Sequence, residues 1–391
     1  MSVAAATAGA PGNFWRPALA GAAGTLVSIG LARFAYTPLI PAVIAAGWFS
    51  PSQAAYLGAI NLIGYLIGAV GARAVARRLP VRLSLRVAIL LASVGMLACA
   101  EPVSFLWFAV WRVVAGLAGG IIMVLAAPAV LALVPAGRRG LAGGVVFTGV
   151  GLGIALSGVV VPPLLRLGLP AAWLGLGGLS AALTAATWTS WPSAAPATSR
   201  HRARLSGAVL AVIVEYGLNA FGVVPHMIFL VDFVARYLGR GMAAGAVCWI
   251  AFGAGAMVGP AFAGALADRI GFRRALRLAL LAEAIAVAAP LLSTATPTLL
   301  ASAVVVGAFT PGVVPLVLGR VHTVLPPGSD AARAAWGGAT IAWAVGQAVG
   351  AQALAFTFAR TASYTPLFVA GTAALLLALL LDFGAGRGQP G

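Results

Sequence analysis

Charged side chains interrupt several of the long apolar runs in this sequence. Arg33 lies in the run that contains "SIGLARFAYTPLIP", Arg112 lies in "WRVVAGLAGG", and Glu215 lies in a third run. A charge at the centre of a bilayer costs roughly 3 kcal/mol or more, so such residues usually face water, a counter-charge or a bound solute. The chemistry open to these residue types is the binding of an anion and the transfer of protons.

The run around Glu215 carries a polar face. Glu215, Asn219, Gly222 and His226 fall within about 60° of one another when each residue turns a helix by about 100°. We expect Glu215 to be a proton-coupling carboxylate, and the alternative is a permanent salt bridge to an arginine. His226 follows Pro225, so its alternative role is to cap a helix kink.

A later run carries a second polar face, formed by Trp336, Thr340, Trp343 and Gln347. Its indoles and its amide could form the walls of a solute site, and we expect Trp343 and Gln347 to line such a site. For Arg33 the alternative is a structural role, in which the backbone carbonyls of broken helices accept its hydrogen bonds. Both buried arginines, Arg33 and Arg112, are expected to be needed for transport of a solute and not for folding.

Composition places the chain among polytopic membrane proteins. Of its 391 residues 62% are hydrophobic and 8% are charged, and no soluble domain of this size could bury so much apolar surface. The net charge of +17 comes from arginines scattered between apolar runs, so no nucleic-acid partner is expected. Neither catalytic nor metal-ligand spacing is present, so we expect neither an enzyme nor a cofactor. If the protein moves a solute across the membrane, we expect a proton gradient to supply the energy.

Twelve apolar runs are long enough to cross about 30 Å of hydrocarbon as helices. The sequence therefore predicts an all-α membrane protein with twelve spans. The predicted spans are 17–45, 51–74, 84–100, 104–133, 139–164, 170–191, 206–232, 241–266, 273–291, 297–323, 331–358 and 363–382.

The arginines are distributed unevenly between the two sets of loops. Eighteen lie in the two chain ends, in the loops after even-numbered spans or beside those loops. Four lie at the other loops, namely Arg166, Arg236, Arg240 and Arg360. Because cytoplasmic loops carry the excess of basic residues, this distribution predicts that both termini are cytoplasmic.

The chain also repeats itself at an offset of 191 residues. This shift places Arg82 on Arg273 and Pro135 on Pro326, and it aligns "LVPAG" with "VLPPG". Parallel half-repeats of this kind are typical of transporters, so we expect two pseudo-symmetric six-helix bundles. The predicted divisions are an N-terminal bundle at 1–191, a cytoplasmic linker at 192–205 and a C-terminal bundle at 206–391.

The most specific motif is "GALADRIGFRR", which resembles the loop motif of the major facilitator superfamily. The matching residues are Gly264, Asp268, Arg269, Gly271, Arg273 and Arg274. We expect Gly264 to permit close helix approach and Asp268 to pair with an arginine or a helix N-terminus. Such a charge network could lock one of two conformations, which makes this loop a candidate gate.

Several stretches together resemble one branch of that superfamily, the YbfB/YjiJ-like transporters. They include "GLARFAYTPLIP", "GVGLGIALSG", "VPHMIFLVDFVAR" and "AWGGATIAWAVGQA", and the resemblance runs nearly end to end. It implies a fold whose spans 1, 4, 7 and 10 line a central cavity, where Arg33, Arg112 and the Glu215 face would converge. It also implies that the ninth span, with Glu283, is peripheral.

The favoured hypothesis is a secondary active transporter that moves a small organic solute by alternating access and is coupled to protons. Two interior arginines favour an organic anion. The alternatives are a multidrug-type exporter of lipophilic compounds and, from a different class, a non-transporting membrane sensor. We expect a monomer in the bacterial cytoplasmic (inner) membrane, whose partners are the lipid bilayer and a small-molecule substrate.

Overall fold

The computed structural model describes residues 14–135, 139–193, 206–326 and 329–385. Within these ranges, twelve helices are long and apolar enough to cross a membrane, which confirms the twelve predicted spans. Nearly all of the predicted linker at 192–205 and the outermost residues of both termini lie outside the described residues. In chain order the helices are α1 Trp15–Ala45, α2 Pro51–Arg78, α3 Val81–Ala98, α4 Phe105–Leu131, α5 Arg139–Leu165, α6 Leu169–Thr187, α7 Gly207–Tyr237, α8 Gly241–Ile270, α9 Phe272–Leu292, α10 Thr296–Val324, α11 Asp330–Thr361 and α12 Thr365–Ala385.

Local sequence signals set several helix ends. Ser50 accepts a hydrogen bond from the backbone of Gln53, whose side chain accepts one from the backbone of Ser50, so a capping box begins α2. Serines in the same position begin α4, α7 and α11. Gly271 separates α8 from α9 with a φ of +85°, a conformation that favours glycine.

Short turns reverse the chain between helix pairs such as α2–α3 and α8–α9, and these two turns lie at the same end of the bundle. We call the end that holds the α2–α3 and α8–α9 turns the arginine-rich end, because most arginines lie there in the sequence. We call helices α1–α6 the first half and α7–α12 the second half.

Two of the helices contain π-helical turns. In α1 the wider turns run over Leu26–Phe34, and in α7 they run over Pro225–Phe229 and Phe233–Tyr237. A π-helical turn breaks the regular ladder of backbone hydrogen bonds and is frequent at functional sites. Arg33 and His226 both lie within such turns.

Glycines bring pairs of helices into close contact in each half. Gly64 and Gly68 of α2 lie against the backbone of α4, at Val113 and Leu117 respectively, so that a methyl group on either glycine would clash with it. Gly255 and Gly259 of α8 lie in the same way against Val304 and Ala308 of α10. Each contact in the second half is the counterpart of one in the first at the offset of 191 residues. The small residues therefore serve helix packing, as their spacing predicts.

Among the described residues, the contacts between the two halves include the helix pairs α1 with α7, α2 with α11 and α5 with α8. In the α5–α8 pair, Gly151 lies against the backbone of Met257, and Gly253 lies against Ala155. In the α1–α7 pair, the Thr37 hydroxyl donates a hydrogen bond of 2.6 Å to the carbonyl of Met227. These contacts enclose the residues described next.

Candidate functional site

Arg33 is buried at the interface between the two halves. One of its Nη atoms donates a hydrogen bond of 2.5 Å to Oε1 of Gln347 on α11. Its guanidinium carbon lies 4.7 Å from the ring centre of Phe34, 5.1 Å from that of Tyr65 and 5.8 Å from that of Trp343. An amide and three aromatic rings thus surround this cation, and such rings attract a cation that lies over their faces.

Arg112 is held by backbone carbonyls instead. Its Nη1 donates a hydrogen bond of 2.6 Å to the carbonyl of Ala32, and its Nε donates one of 3.4 Å to that of Leu57. Its other Nη atom lies 3.5 Å from the carbonyl of Arg33, and Tyr36 packs against its guanidinium at 4.4 Å. The structural role considered for Arg33 in the sequence therefore describes the surroundings of Arg112.

A narrow cavity opens between these two arginines. It is lined by α1, α2, α4 and α7 and has a volume of about 20 Å³, which is room for about one water molecule. Its apolar lining includes Ile40, Leu62 and Met227. Among the described residues, neither Arg33 nor Arg112 forms an ion pair with a carboxylate. The cavity therefore combines a cationic surface with apolar and aromatic walls.

The polar face of α7 does not point into this cavity, contrary to the expectation from the sequence. Nδ2 of Asn219 donates a hydrogen bond of 2.5 Å to Oε2 of Glu283 on α9. Nε2 of His226 lies 2.6 Å from the Ser302 hydroxyl on α10. Periodicity shows that these side chains share a face, but it does not show which neighbour that face contacts. Both side chains point into the interior of the second half.

Glu215 lies on the same face, one turn closer to the arginine-rich end. It borders a tightly packed crevice that has no room for a water molecule, together with residues of α9 and α10 such as Leu276 and Val313. Within the described part of the chain, neither of its carboxylate oxygens has a hydrogen-bond partner. Glu215 is therefore separate from Arg33, and its predicted alternative, a permanent salt bridge, is not formed in this structure.

Three other acids are more buried than the sequence indicates. Glu283 is 0% exposed, so its side chain lies in the interior of the second half, while the expectation that its span is peripheral stays a prediction. Asp232 and Asp382, whose positions near span ends suggest the membrane interface, are also buried. Asp232 accepts a hydrogen bond from the Tyr364 hydroxyl and pairs with Arg236 at 3.2 Å. The sequence signal for Glu283 is its position deep inside an apolar run, as for Glu215.

Asp382 is the centre of a charge cluster at the arginine-rich end of the second half. Its carboxylate pairs with Arg277, with Arg273 at 3.4 Å and with Arg320 at 3.9 Å. Its backbone carbonyl accepts hydrogen bonds from Arg273 at 2.8 Å and from Arg277 at 3.3 Å. The cluster therefore joins α9, α10 and α12, and the sequence motif identified only Arg273 as one of its members.

The loop motif itself departs from expectation in two places. No atom of another helix lies within 4 Å of the position that a methyl group on Gly264 would occupy, so this glycine does not bring two helices together. Asp268 is exposed and forms no ion pair with any described residue. Arg269 and Arg274 are also exposed. Within the motif, Gly271 forms the turn and Arg273 joins the Asp382 cluster.

The fold and its buried polar groups define a multi-pass membrane transporter of the major facilitator type. A family model described as "Uncharacterised MFS-type transporter YbfB" matches residues 25–383, and the chain belongs to this family. This confirms the resemblance found in the sequence. A search among curated proteins gives no match.

Proposed function

We propose that this protein is a proton-coupled secondary transporter of a small organic anion in the bacterial cytoplasmic membrane. The observation that carries the proposal is the pair of buried guanidinium groups, Arg33 and Arg112, beside one cavity. No carboxylate pairs with either group among the described residues. Uncompensated buried cations are costly, and an anion that enters the cavity would offset that cost.

Arg33 is the more available of the two cations. It is held by the neutral amide of Gln347 and by aromatic rings, whereas Arg112 already donates to backbone carbonyls. A guanidinium has five N–H donors in a planar fork, and this geometry suits a carboxylate. Trp343 and Gln347 would then position the anion against Arg33, because both contact its side chain.

Alternating access requires two units that can rock against each other around such a site. The proposal takes these units to be two pseudo-symmetric six-helix bundles joined by the linker at 192–205, with both termini in the cytoplasm. It is supported by the glycine contacts that recur at the 191-residue offset and by the excess of arginines at one set of loops. The loop at 264–274 remains the candidate gate.

A second candidate function is export of lipophilic compounds. The lining of the cavity favours it, because Phe34, Ile40, Leu62 and Ile228 present apolar surface beside the arginines. In this case Arg33 would be a structural cation held by Gln347 and the aromatic rings, and the substrate would bind by apolar contact.

Thermal-shift measurements on the purified protein can separate the two functions. A panel of organic anions and a panel of lipophilic cations would be tested on the wild type, on Arg33→Ala and on Arg166→Ala, which removes an exposed arginine as a matched control. We expect one or more anions to stabilise the wild type and the control but not Arg33→Ala. Stabilisation by lipophilic cations alone, unchanged in Arg33→Ala, would contradict the anion proposal and favour export.

A further inference from the structure

The pair formed by Asn219 and Glu283 is an unusual feature of the second half. It joins α7 to α9 through a hydrogen bond of 2.5 Å from the amide Nδ2 to the carboxyl Oε2. Both side chains are essentially inaccessible to solvent, at 1% and 0% exposure. No described arginine or histidine pairs with this carboxyl group. An ionised carboxylate in such a place is costly unless it is paired.

The remaining atoms of this pair point to a bound proton. Oδ1 of Asn219 and Oε1 of Glu283 are both buried, and neither has a hydrogen-bond partner among the described residues. Two acceptor oxygens cannot bond to each other. If Glu283 carries a proton on Oε1, it becomes a donor to the amide oxygen, and each group then both donates and accepts. A proton on Glu283 would therefore supply the donor that these buried acceptors lack.

The charged surroundings differ between this pair and Glu215. Four charged groups at the arginine-rich end act on Glu215, namely Asp382, Arg320, Arg273 and Arg277. The titratable groups near Glu283 come from α7, where Tyr216 precedes Asn219, while His226 lies further along and bonds to Ser302 of α10. Glu215 therefore lies within reach of the charged groups at the arginine-rich end, whereas Glu283 pairs with the neutral amide of Asn219.

We propose that Asn219 and Glu283 form a proton-binding site inside the second half, separate from the central cavity, and that Glu215 exchanges this proton with the arginine-rich end. The inference rests on the proposed coupling to protons and names the groups that carry it. Glu215 and Asn219 lie one helical turn apart on α7, a rise of about 6 Å. When the proton passes from Glu283 to Glu215, one O–H bond breaks and another forms, and one negative charge moves in the opposite direction.

Helix α7 links this proton site to the central cavity. The carbonyl of Met227 accepts the hydrogen bond from Thr37 of the first half, and its sulfur lies 3.2 Å from Nε2 of Gln347. Gln347 in turn holds Arg33. Loss of the proton would leave a buried carboxylate that, among the described residues, is held by the Asn219 amide alone, and the cost of that charge would favour a rearrangement of the helices around it. A resulting shift of α7 would reach the partner of Arg33 through Met227.

Infrared difference spectroscopy on the purified full-length protein can detect the proton directly. The C=O stretch of a protonated carboxyl group differs from that of a carboxylate, and a hydrogen bond lowers its frequency. At neutral pH we expect this band in the wild type and in the control Glu101→Gln, which alters an exposed acid. The band should disappear in Glu283→Gln and move to higher frequency in Asn219→Ala. A band that persists unchanged in Glu283→Gln would overturn the site.

Transport measurements separate this inference from the proposed function. Vesicles with an imposed pH gradient would be placed in a medium that contains an anion known to stabilise the wild type, and accumulation of this anion inside them would be measured. We expect Glu283→Gln to lose accumulation while wild type and Glu101→Gln retain it. If Glu283→Gln accumulates the anion normally, the site is overturned although proton coupling stands. If the infrared band is present but the gradient drives no accumulation even in the wild type, the proton site stands and the proposed coupling fails.

Discussion

At the arginine-rich end, the two halves form the same hydrogen bond from an arginine to a backbone carbonyl, but they place different side chains beside it. In the first half, Arg82 of α3 donates a hydrogen bond of 2.8 Å to the carbonyl of Trp191. In the second half, its counterpart Arg273 of α9 donates one of 2.8 Å to the carbonyl of Asp382. Both pairs are related by the offset of 191 residues. The difference is the side chain on that carbonyl, because the second half has a carboxylate there and the first half has an indole.

This difference extends to the whole chain. Of its seven acidic residues only Glu101 belongs to the first half, and it lies exposed between α3 and α4. The first half instead contains two buried arginines that form no ion pair among the described residues, Arg33 and Arg112, whereas the buried Arg320 of the second half pairs with Asp382. Among the described side chains, four buried acids belong to the second half, namely Glu215, Asp232, Glu283 and Asp382. The two halves therefore differ in their buried charged groups, and the proposed roles, an anion site in the first half and proton sites in the second, follow this difference.

The largest expected effect is that of Arg112→Ala on folding. The substitution removes the donor to the carbonyls of Ala32 and Leu57, and a buried acceptor left without a partner costs about 1–3 kcal/mol. We expect lower membrane abundance and a lower midpoint of thermal unfolding than in Arg166→Ala. Equal stability of the two variants would show that Arg112 is not needed for folding, which is the expectation from the sequence alone.

Arg33→Ala should abolish transport and leave the fold nearly intact. Its main partner is the neutral amide of Gln347, which also contacts Met227, so no buried charge is left unpaired. Loss of a charged hydrogen bond to an anion corresponds to about 1.5–3 kcal/mol, or roughly 10- to 150-fold weaker binding. Binding would be measured by thermal shift and abundance by immunoblot. Full activity in this variant would remove Arg33 from the site.

Glu215→Gln should separate exchange from accumulation. The amide keeps the shape of the side chain but cannot ionise, and neither oxygen of Glu215 has a hydrogen-bond partner to lose among the described residues. We expect substrate binding and substrate exchange across reconstituted vesicles to persist, while accumulation driven by a pH gradient is lost. Normal accumulation would exclude Glu215 as a group on the proton path.

Asp382→Asn should have a moderate effect on stability. It weakens the ion pairs with Arg273, Arg277 and Arg320 while leaving the backbone carbonyl in place, and we expect a loss of about 1–3 kcal/mol. Arg82→Ala is the comparison in the first half, where only carbonyls lose a donor. Thermal unfolding would measure the loss in stability for both variants. A smaller loss for Asp382→Asn than for Arg82→Ala would show that the carboxylate adds no stability beyond the hydrogen bond from arginine to carbonyl.

The smallest expected effect on stability is that of Asp268→Asn. This side chain is exposed and forms no ion pair among the described residues, so the change in stability should be within about 0.5 kcal/mol. Its predicted role in gating is tested separately, by the accessibility of single cysteines introduced at the two ends of the bundle. Lower substrate affinity with unchanged accessibility would contradict that role.

The sequence predicted the twelve membrane-spanning helices because each span had to be long and apolar. It also predicted that Arg33, Trp343 and Gln347 would lie together. Charged and amide groups are costly next to lipid, so the helix faces that carry them are expected to point into the protein. It failed on Asn219 and His226, whose shared face is directed at α9 and α10 and not at the cavity. Helical periodicity fixes the angle between side chains but not the neighbour that the face meets.

The charge cluster shows a second limit. Asp382 and Arg320 are far apart in the chain and belong to no shared motif, so only the packing of the helices in the second half brings them within 3.9 Å. The motif instead drew attention to Asp268, which is next to arginines in sequence but points to solvent. Proximity in sequence was therefore a poor guide to ion pairing at this end.

The glycine contacts between α2 and α4 also determine which substitutions the chain can tolerate. Gly68 lies against the backbone of Leu117, whereas Gly71, three residues later on α2, has open space where a side chain would project. A library of single alanine substitutions selected for surviving membrane protein would be depleted at Gly68 and would retain Gly71→Ala. Gly259 and Gly264 on α8 should divide in the same way, because Gly259 meets Ala308 and Gly264 meets no described residue.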